Sequence, residues 1–560
     1  MKKLLVLLVL LFTVNIVYAS TSQITLLTVG EIENRTFGGT ANLQLEIRPG
    51  TGRVFIDSFP LTQLDTQIST RFGKEVACNF LDVDCSNHDF FYTIRATSAL
   101  VGGPSAGAAT TILTISVLDG VSLNKNVVMT GTINSGGIIG PVSGIKAKTI
   151  AAKNAGFDMV LLPKWSVLDM QDENVTYADS LVVEGIDIQV VSDIEEALWF
   201  FTNKDYSRLV GEIEVPFQYT QIMGQISGDL CNRHYEMFPL GFNESQDALN
   251  DAELAMQRGD FYSAASFCFG ANVAARAYLF QNLTDEEKQT IFEDLKAEFE
   301  EFSSEIYAKE LNTFSDLEAS VIVKERLFET KNLLERDNAL DNLAYISERF
   351  YSAIAWSRFF DYDSTSLDLD TNYLNSACST KIAEVEERLS YLQFIAGTTG
   401  RFSEELTSVR GIANDGDFAF CLFRATRIKA DINALLLTAM VREDSYVDLA
   451  QDKLDIAYKQ IYNAKEFSIL GYSYFDYANS LINQNPELSI IFSEYAAEFT
   501  NLDMYFPSGS SPSMFLFVRN PYFVLGLFVG ILISFLALLL ALVFINYKPR
   551  KAKSSPGKKR

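Results

Sequence analysis

Between Ala99 and Pro163, apolar runs of strand and helix length alternate, with small residues at the joints. The tightest joint is Gly103-Pro104-Ser105-Ala106-Gly107, placed after the β-rich run Phe90 to Ala96 and before the apolar run Ala108 to Leu118. A serine at such a strand-to-helix turn is exposed, and the free N–H groups of the first helical turn can hold an oxyanion. Glycine-rich turns also precede helices for purely structural reasons, so the turn by itself sets a geometry and leaves the chemistry open.

The surrounding pattern is mixed. Leu43, Leu45 and Ile47 alternate before the turn Arg48-Pro49-Gly50-Thr51-Gly52 and the run Val54 to Ile56, which predicts a half-buried hairpin within Ile24 to Asp57. A helix is expected over Leu61 to Val76, strands at Val127 to Gly131, Met159 to Leu162 and Ile188 to Val191, and a helix from Ile145 to Asn154 closed by Gly156. Ser192-Asp193-Ile194-Glu195 reads as a capping box opening one more helix. Beyond Asn203 the chain turns acidic, aromatic and helical, with Thr284 to Glu287 capping a long helix. Ala255 to Phe261 and Ile412 to Phe418 resemble each other and the turns of tetratricopeptide hairpins. They lie too far apart for a short repeat, so an irregular bundle is expected.

The ends differ from the middle. Lys2 and Lys3, the apolar run Leu4 to Val14 and Val17-Tyr18-Ala19 have the form of a secretory signal over 1–19. Asn501 to Arg519, with Pro507 and Pro512, reads as a linker within 501–521. Tyr522 to Ile545 carries no charge and predicts a transmembrane helix, and the basic tail over 546–560 predicts a cytoplasmic C-terminus with the earlier domains outside the cytoplasm. The formal net charge is −25 although both ends are basic, which argues against nucleic acid as a partner. Six cysteines suit disulfides, with Cys78 and Cys85 the natural local pair. With only His88 and His234, both expected on the surface or in loops, and no CxxC cluster, neither a histidine-built metal site nor a cofactor is expected.

A serine needs a base. His88 and His234 are poorly placed in the sequence to act on Ser105. Lysine can serve when desolvation or a helix N-terminus lowers its pKa. Lys146, after Gly144-Ile145 at a helix start, has that setting, while Lys148 and Lys153 are expected on the solvated face.

Taken together, Gly103 to Gly107, Met129-Thr130-Gly131, Pro141 to Lys146, Ala151 to Gly156 and Leu161 to Lys164 resemble, in order and spacing, the proteolytic domain of Lon-type proteases. The resemblance covers about Gly38 to Asn203. It implies a serine-lysine dyad of Ser105 and Lys146, with Thr130 orienting the lysine and the backbone at Ser105 and Ala106 forming the oxyanion hole. Departures are Gly102 where an acid often stands, Thr132 for a glutamate and Ser143 for a glycine. No GxxxxGK[ST] motif is present, so no ATP-driven motor is expected.

The expected fold class is therefore an α+β Lon-type proteolytic domain over 20–203, an all-α helical domain over 204–500 and one C-terminal transmembrane helix over 522–545. The expected function is a membrane-anchored, ATP-independent serine endopeptidase acting outside the cytoplasm on unfolded or flexible polypeptides, open to homo-oligomerisation. A catalytically silent Lon-like fold used for binding or scaffolding is the competing reading.

Overall fold

The structure, a computed structural model, describes residues 20 to 500 apart from 33–34, 60, 97–102, 167–182, 208–209, 240–241, 363–370, 440 and 465. In chain order the strands are β1 (Ser20–Ile32), β2 (Arg35–Pro49), β3 (Val54–Phe59), β4 (His88–Ala96), β5 (Val127–Met129), β6 (Thr132–Ile133), β7 (Ile139–Gly140), β8 (Met159–Pro163) and β9 (Asp187–Val191). Seven of them form one mixed sheet in the order β3-β4-β2-β1-β5-β8-β9, and β6 pairs with β7 apart from it. The helices of this part are α1 (Leu64–Leu81), α2 (Gly107–Asp119), α3 (Ile145–Asn154) and α4 (Ile194–Thr202).

Side chains alternate across a strand, so one strand feeds two cores. Val127 and Met129 of β5 and Leu161 of β8 pack on one side with α2, whereas Val128, Val160 and Leu162 pack on the other with Ile145 and Ala152 of α3. Helix α2 is apolar around its circumference and buried from Gly107 to Val117, the pattern of a central helix. Its hydroxyls are satisfied locally: Thr110, Thr111 and Thr114 each donate to a carbonyl four residues back.

The pairing of the strands differs from the sequence expectation of a hairpin through Arg48 to Gly52. Strands β1 and β2 pair from Ser20 with Ile47 up to Ile32 with Arg35, while β3 lies parallel to β4. The Asp89 carboxylate accepts from Thr51 N at 2.8 Å and Arg53 N at 3.0 Å, and Gly50 N donates to Asn87 O at 2.9 Å. These bonds tie the Arg48 to Gly52 turn to the start of β4, which lies between β2 and β3. The helix α4 is capped by Asp193, which accepts from Glu196 N, one residue on from the expected capping serine.

The helical part comprises α5 (Phe217–Met237), α6 (Gln246–Arg258), α7 (Phe261–Phe280), α8 (Asp285–Tyr307), α9 (Phe314–Leu334) and α10 (Leu343–Trp356). It continues with α11 (Thr371–Ala396), α12 (Phe402–Asn414), α13 (Phe418–Thr438), α14 (Tyr446–Asn463), α15 (Ile469–Leu481) and α16 (Pro486–Thr500). The two similar turns join α6 to α7 and α12 to α13. Thr284 and Glu287 form the expected reciprocal cap on α8. Disulfides join Cys78 to Cys85, as expected, and Cys231 to Cys268 and Cys378 to Cys421. His234 is fully buried on α5, not on the surface.

The helical part packs on the α/β part through apolar and charged contacts. Ile138 and Trp165 share a core cluster with Ala434, Leu437, Leu449 and Ile490. Beside it, Lys453 of α14 and Glu494 of α16 form a buried ion pair that meets Ser135, between β6 and β7.

The expected membrane placement is corrected. Among the described residues no helix is long and apolar enough to cross a membrane. The 1–19 segment, the 501–521 linker, Tyr522 to Ile545 and the 546–560 tail lie outside the described residues. The fold class that stands is an α/β domain followed by helices, and the single-pass location, with its outside and cytoplasmic sides, is not retained.

Removing one partner of a buried ion pair leaves an uncompensated charge. Glu494→Ala is therefore expected to lower stability by about 3–5 kcal/mol, read as a lower urea midpoint, with much of the loss recovered by Glu494→Met combined with Lys453→Met.

Candidate functional site

Pro104 to Ala106 make a single 3-10 turn that runs straight into α2, with Gly103 before it at φ +98°. The turn is fixed from below. Gly131 N donates to Ser105 O at 3.0 Å, and Ala108 N donates to Gly131 O at 3.1 Å. At Gly107 a Cβ would stand 2.7 Å from the Ile133 methyl, so the small residue lets α2 lie directly on β6. Ser105 and Ala106 are half-buried at the mouth of this turn.

Thr130, at the end of β5, is the link to the lysine. Its hydroxyl accepts from Lys148 Nζ at 3.2 Å and makes a longer contact, 3.5 Å, to Ser105 O. Lys148 is 2% exposed. Burial, with no carboxylate contributing, brings its amine from an ordinary value near 10.5 down to about 8. A lysine in that state carries a lone pair in a useful fraction of molecules near neutral pH.

Lys146 is exposed, and the structure does not bring it to Thr130. The reason is helical geometry: two residues turn the helix by about 200°, so Lys146 and Lys148 leave α3 on nearly opposite sides. The expectation that Lys148 lies on the solvated face is thus corrected. The signal was present in the sequence. Ile145, Lys148, Thr149 and Ala152 occupy the i, i+3, i+4, i+7 stripe and are all buried, whereas Lys146, Ile150 and Lys153 share the exposed face. Weighing nearness to the helix start above helical phase hides this.

Elsewhere in the molecule a serine and a lysine are in direct contact, and the comparison is informative. Ser135 Oγ lies 3.1 Å from Lys453 Nζ, but it donates to Glu494 at 2.6 Å, and Glu494 pairs with Lys453. Ser135 is a bridge between parts of the fold, whereas the lysine linked to Ser105 through Thr130 has no carboxylate contributing to its titration. His88 opens β4 and His234 sits within α5, so neither lies on the elements around Ser105.

Residues 86–201 match the family described as the Lon protease (S16) C-terminal proteolytic domain. Lon protease of Paraburkholderia phytofirmans is 35% identical over 125 residues, 21% of this chain and 16% of that protein. Lon protease of Trichlorobacter lovleyi is 38% identical over 96 residues, 17% of this chain and 11% of that protein. Lon protease 1 of Myxococcus xanthus is 28% identical over 177 residues, 30% of this chain and 21% of that protein. The chain thus spans about a fifth or less of the length of these relatives, and the likeness falls on the α/β part. That relationship supports a serine peptidase.

The Thr130 hydroxyl accepts from Lys148, and a bond to the charged form favours it. Thr130→Val is expected to move the Lys148 titration below about 8, measurable by NMR of lysine labelled at the carbon beside Nζ.

Proposed function

We propose that the chain is a serine endopeptidase with Ser105 as nucleophile and Lys148, in place of Lys146, as general base. The observation that carries this reading is the buried Lys148 amine held on Thr130 without a carboxylate partner. In the acylation step the Ser105 hydroxyl attacks the peptide carbonyl while Lys148 takes its proton. The oxyanion is received by backbone N–H groups at the Ser105–Ala106 turn, which the helix itself does not satisfy. The protonated lysine then gives its proton to the leaving amine, and water, activated by the same lysine, releases the acyl group.

The peptidase acts without ATP, on unfolded or flexible polypeptides. Support comes from the absence of a GxxxxGK[ST] loop in these 560 residues, which leaves no phosphate-binding motor to unfold a stable substrate.

The test is hydrolysis of an unfolded protein by the full chain without nucleotide. Ser105→Ala and Lys148→Met should each lower the rate by about 10²–10⁴-fold, while Lys146→Gln leaves it unchanged. Equal cleavage by all variants, or none by the unmodified chain, would overturn the reading in favour of a silent binding module. The pH profile gives an independent check. Only the neutral amine accepts a proton, so the rate should be low in acid and rise with pH through about 8.

A further inference from the structure

Helix α1 lies between the nucleophile turn and the helical part, and it touches both through different residues. At its start, Asp65 is 1% exposed. One of its oxygens accepts from Gly103 N at 2.7 Å, and the other from Thr66 N at 2.6 Å. The Thr66 hydroxyl donates to Gly103 O at 3.3 Å. Asp65 and Thr66 together therefore hold both backbone groups of the residue two before Ser105. About two turns further on, Gly73 brings α1 so close to α2 that a Cβ there would stand 3.1 Å from Gly107 O.

An adjacent face of α1 belongs to the helical part. Ile68 is buried in the helical core rather than with the sheet. Glu75 accepts from Arg388 of α11 at 3.1 Å and from Lys429 of α13 at 2.7 Å. The Arg388 guanidinium, 1% exposed, lies over the Phe72 ring. Arg71 adds an exposed pair with Glu387 of α11, while the partners of Glu75, Arg388 and Lys429, are buried, so rotating or sliding α1 would break one set of bonds or the other.

We propose that Asp65 is a positioning residue for the nucleophile, fixing the Gly103 peptide and with it the direction of Ser105, and that the helical part sets this position by clamping α1 through Arg388 and Lys429. The proposal rests on the peptidase reading. Asp65 touches neither Ser105 Oγ nor Lys148, so its effect is on geometry: misplacement of a reacting group by about 1 Å costs on the order of 100-fold in rate.

The experiment uses the full chain and a short flexible peptide substrate, with amide hydrogen exchange as a readout that needs no activity. Asp65→Ala is expected to lower kcat by on the order of 100-fold with little change in KM, and to leave the pH midpoint near its unmodified value. The same variant should speed exchange in the segment carrying Gly103 to Gly107 while α11 and α13 keep theirs. Asp65→Asn, which keeps a carbonyl oxygen for Gly103 N, should recover most of both effects. Arg388→Met should give a smaller loss of kcat in the same direction. Unchanged kcat and exchange in Asp65→Ala overturn the proposal, as does general loss of protection across α11 and α13, which marks a merely structural role. A shifted pH midpoint overturns it too, because Asp65 would then act on the base. A Ser105-independent rate, or none, in the unmodified chain overturns the peptidase reading instead, and the exchange result still decides whether Asp65 holds the turn.

Discussion

The structure depends on one helix having to satisfy two cores. Helix α1 buries Phe72, Val76 and Ala77 with the sheet and Ile68 with the helical part. A surface helix has one apolar stripe and a solvated back, and α1 keeps only a narrow one along this stretch, at Gln67 and Arg71. Its polar residues are therefore constrained as tightly as its apolar ones: Asp65 must find backbone donors and Glu75 must find cations. The nucleophile turn is one of the partners that this demand recruits.

Burial sets apart two lysines, Lys453 at Ser135 and Lys148 at Thr130. Burying an ammonium is costly, and a protein can offset the cost with a carboxylate or let the group lose its proton. Lys453 meets Glu494 in a buried ion pair that serves as a joint between α14, α16 and the loop at Ser135. Lys148 takes the second course, donating to the Thr130 hydroxyl while burial brings its amine down to about 8. The lowered Lys148 amine is what the proposed chemistry needs, since only a neutral amine can accept a proton.

Much of the α/β part was legible from sequence because its signals are local. The turn around Ser105, the strand before it and helix α3 each follow from small residues and apolar periodicity over a few residues. Two things were not. The pairing of β3 with β4 depends on Asp89 reaching back to Thr51 and Arg53, a contact 36 to 38 residues apart that no short window contains. The choice between Lys146 and Lys148 was available from helical phase, but Lys146 satisfies the helix-start criterion as well as any lysine can, and that criterion says nothing about which side of α3 faces Thr130. Asp65 lay beyond sequence reasoning altogether, because its importance comes from a hydrogen bond to a residue 38 positions away.

Charges rather than apolar side chains fill much of the joint behind α1, and this has a consequence for precision. Glu75, Glu384 and Glu498 interlock with Lys381, Arg388 and Lys429. Burial opposes ionisation of Glu384, yet Lys381 and Lys429 outweigh it and hold that carboxyl well below its usual range. An apolar interface tolerates small slips, since one methyl contact replaces another at little cost. An interlocked set of three acids and three bases does not, because moving α1 against α11 and α13 strands buried charges on both sides, each costing several kcal/mol. Such a joint specifies one rotation and one height for α1, and the Asp65 carboxylate at its other end inherits that definition.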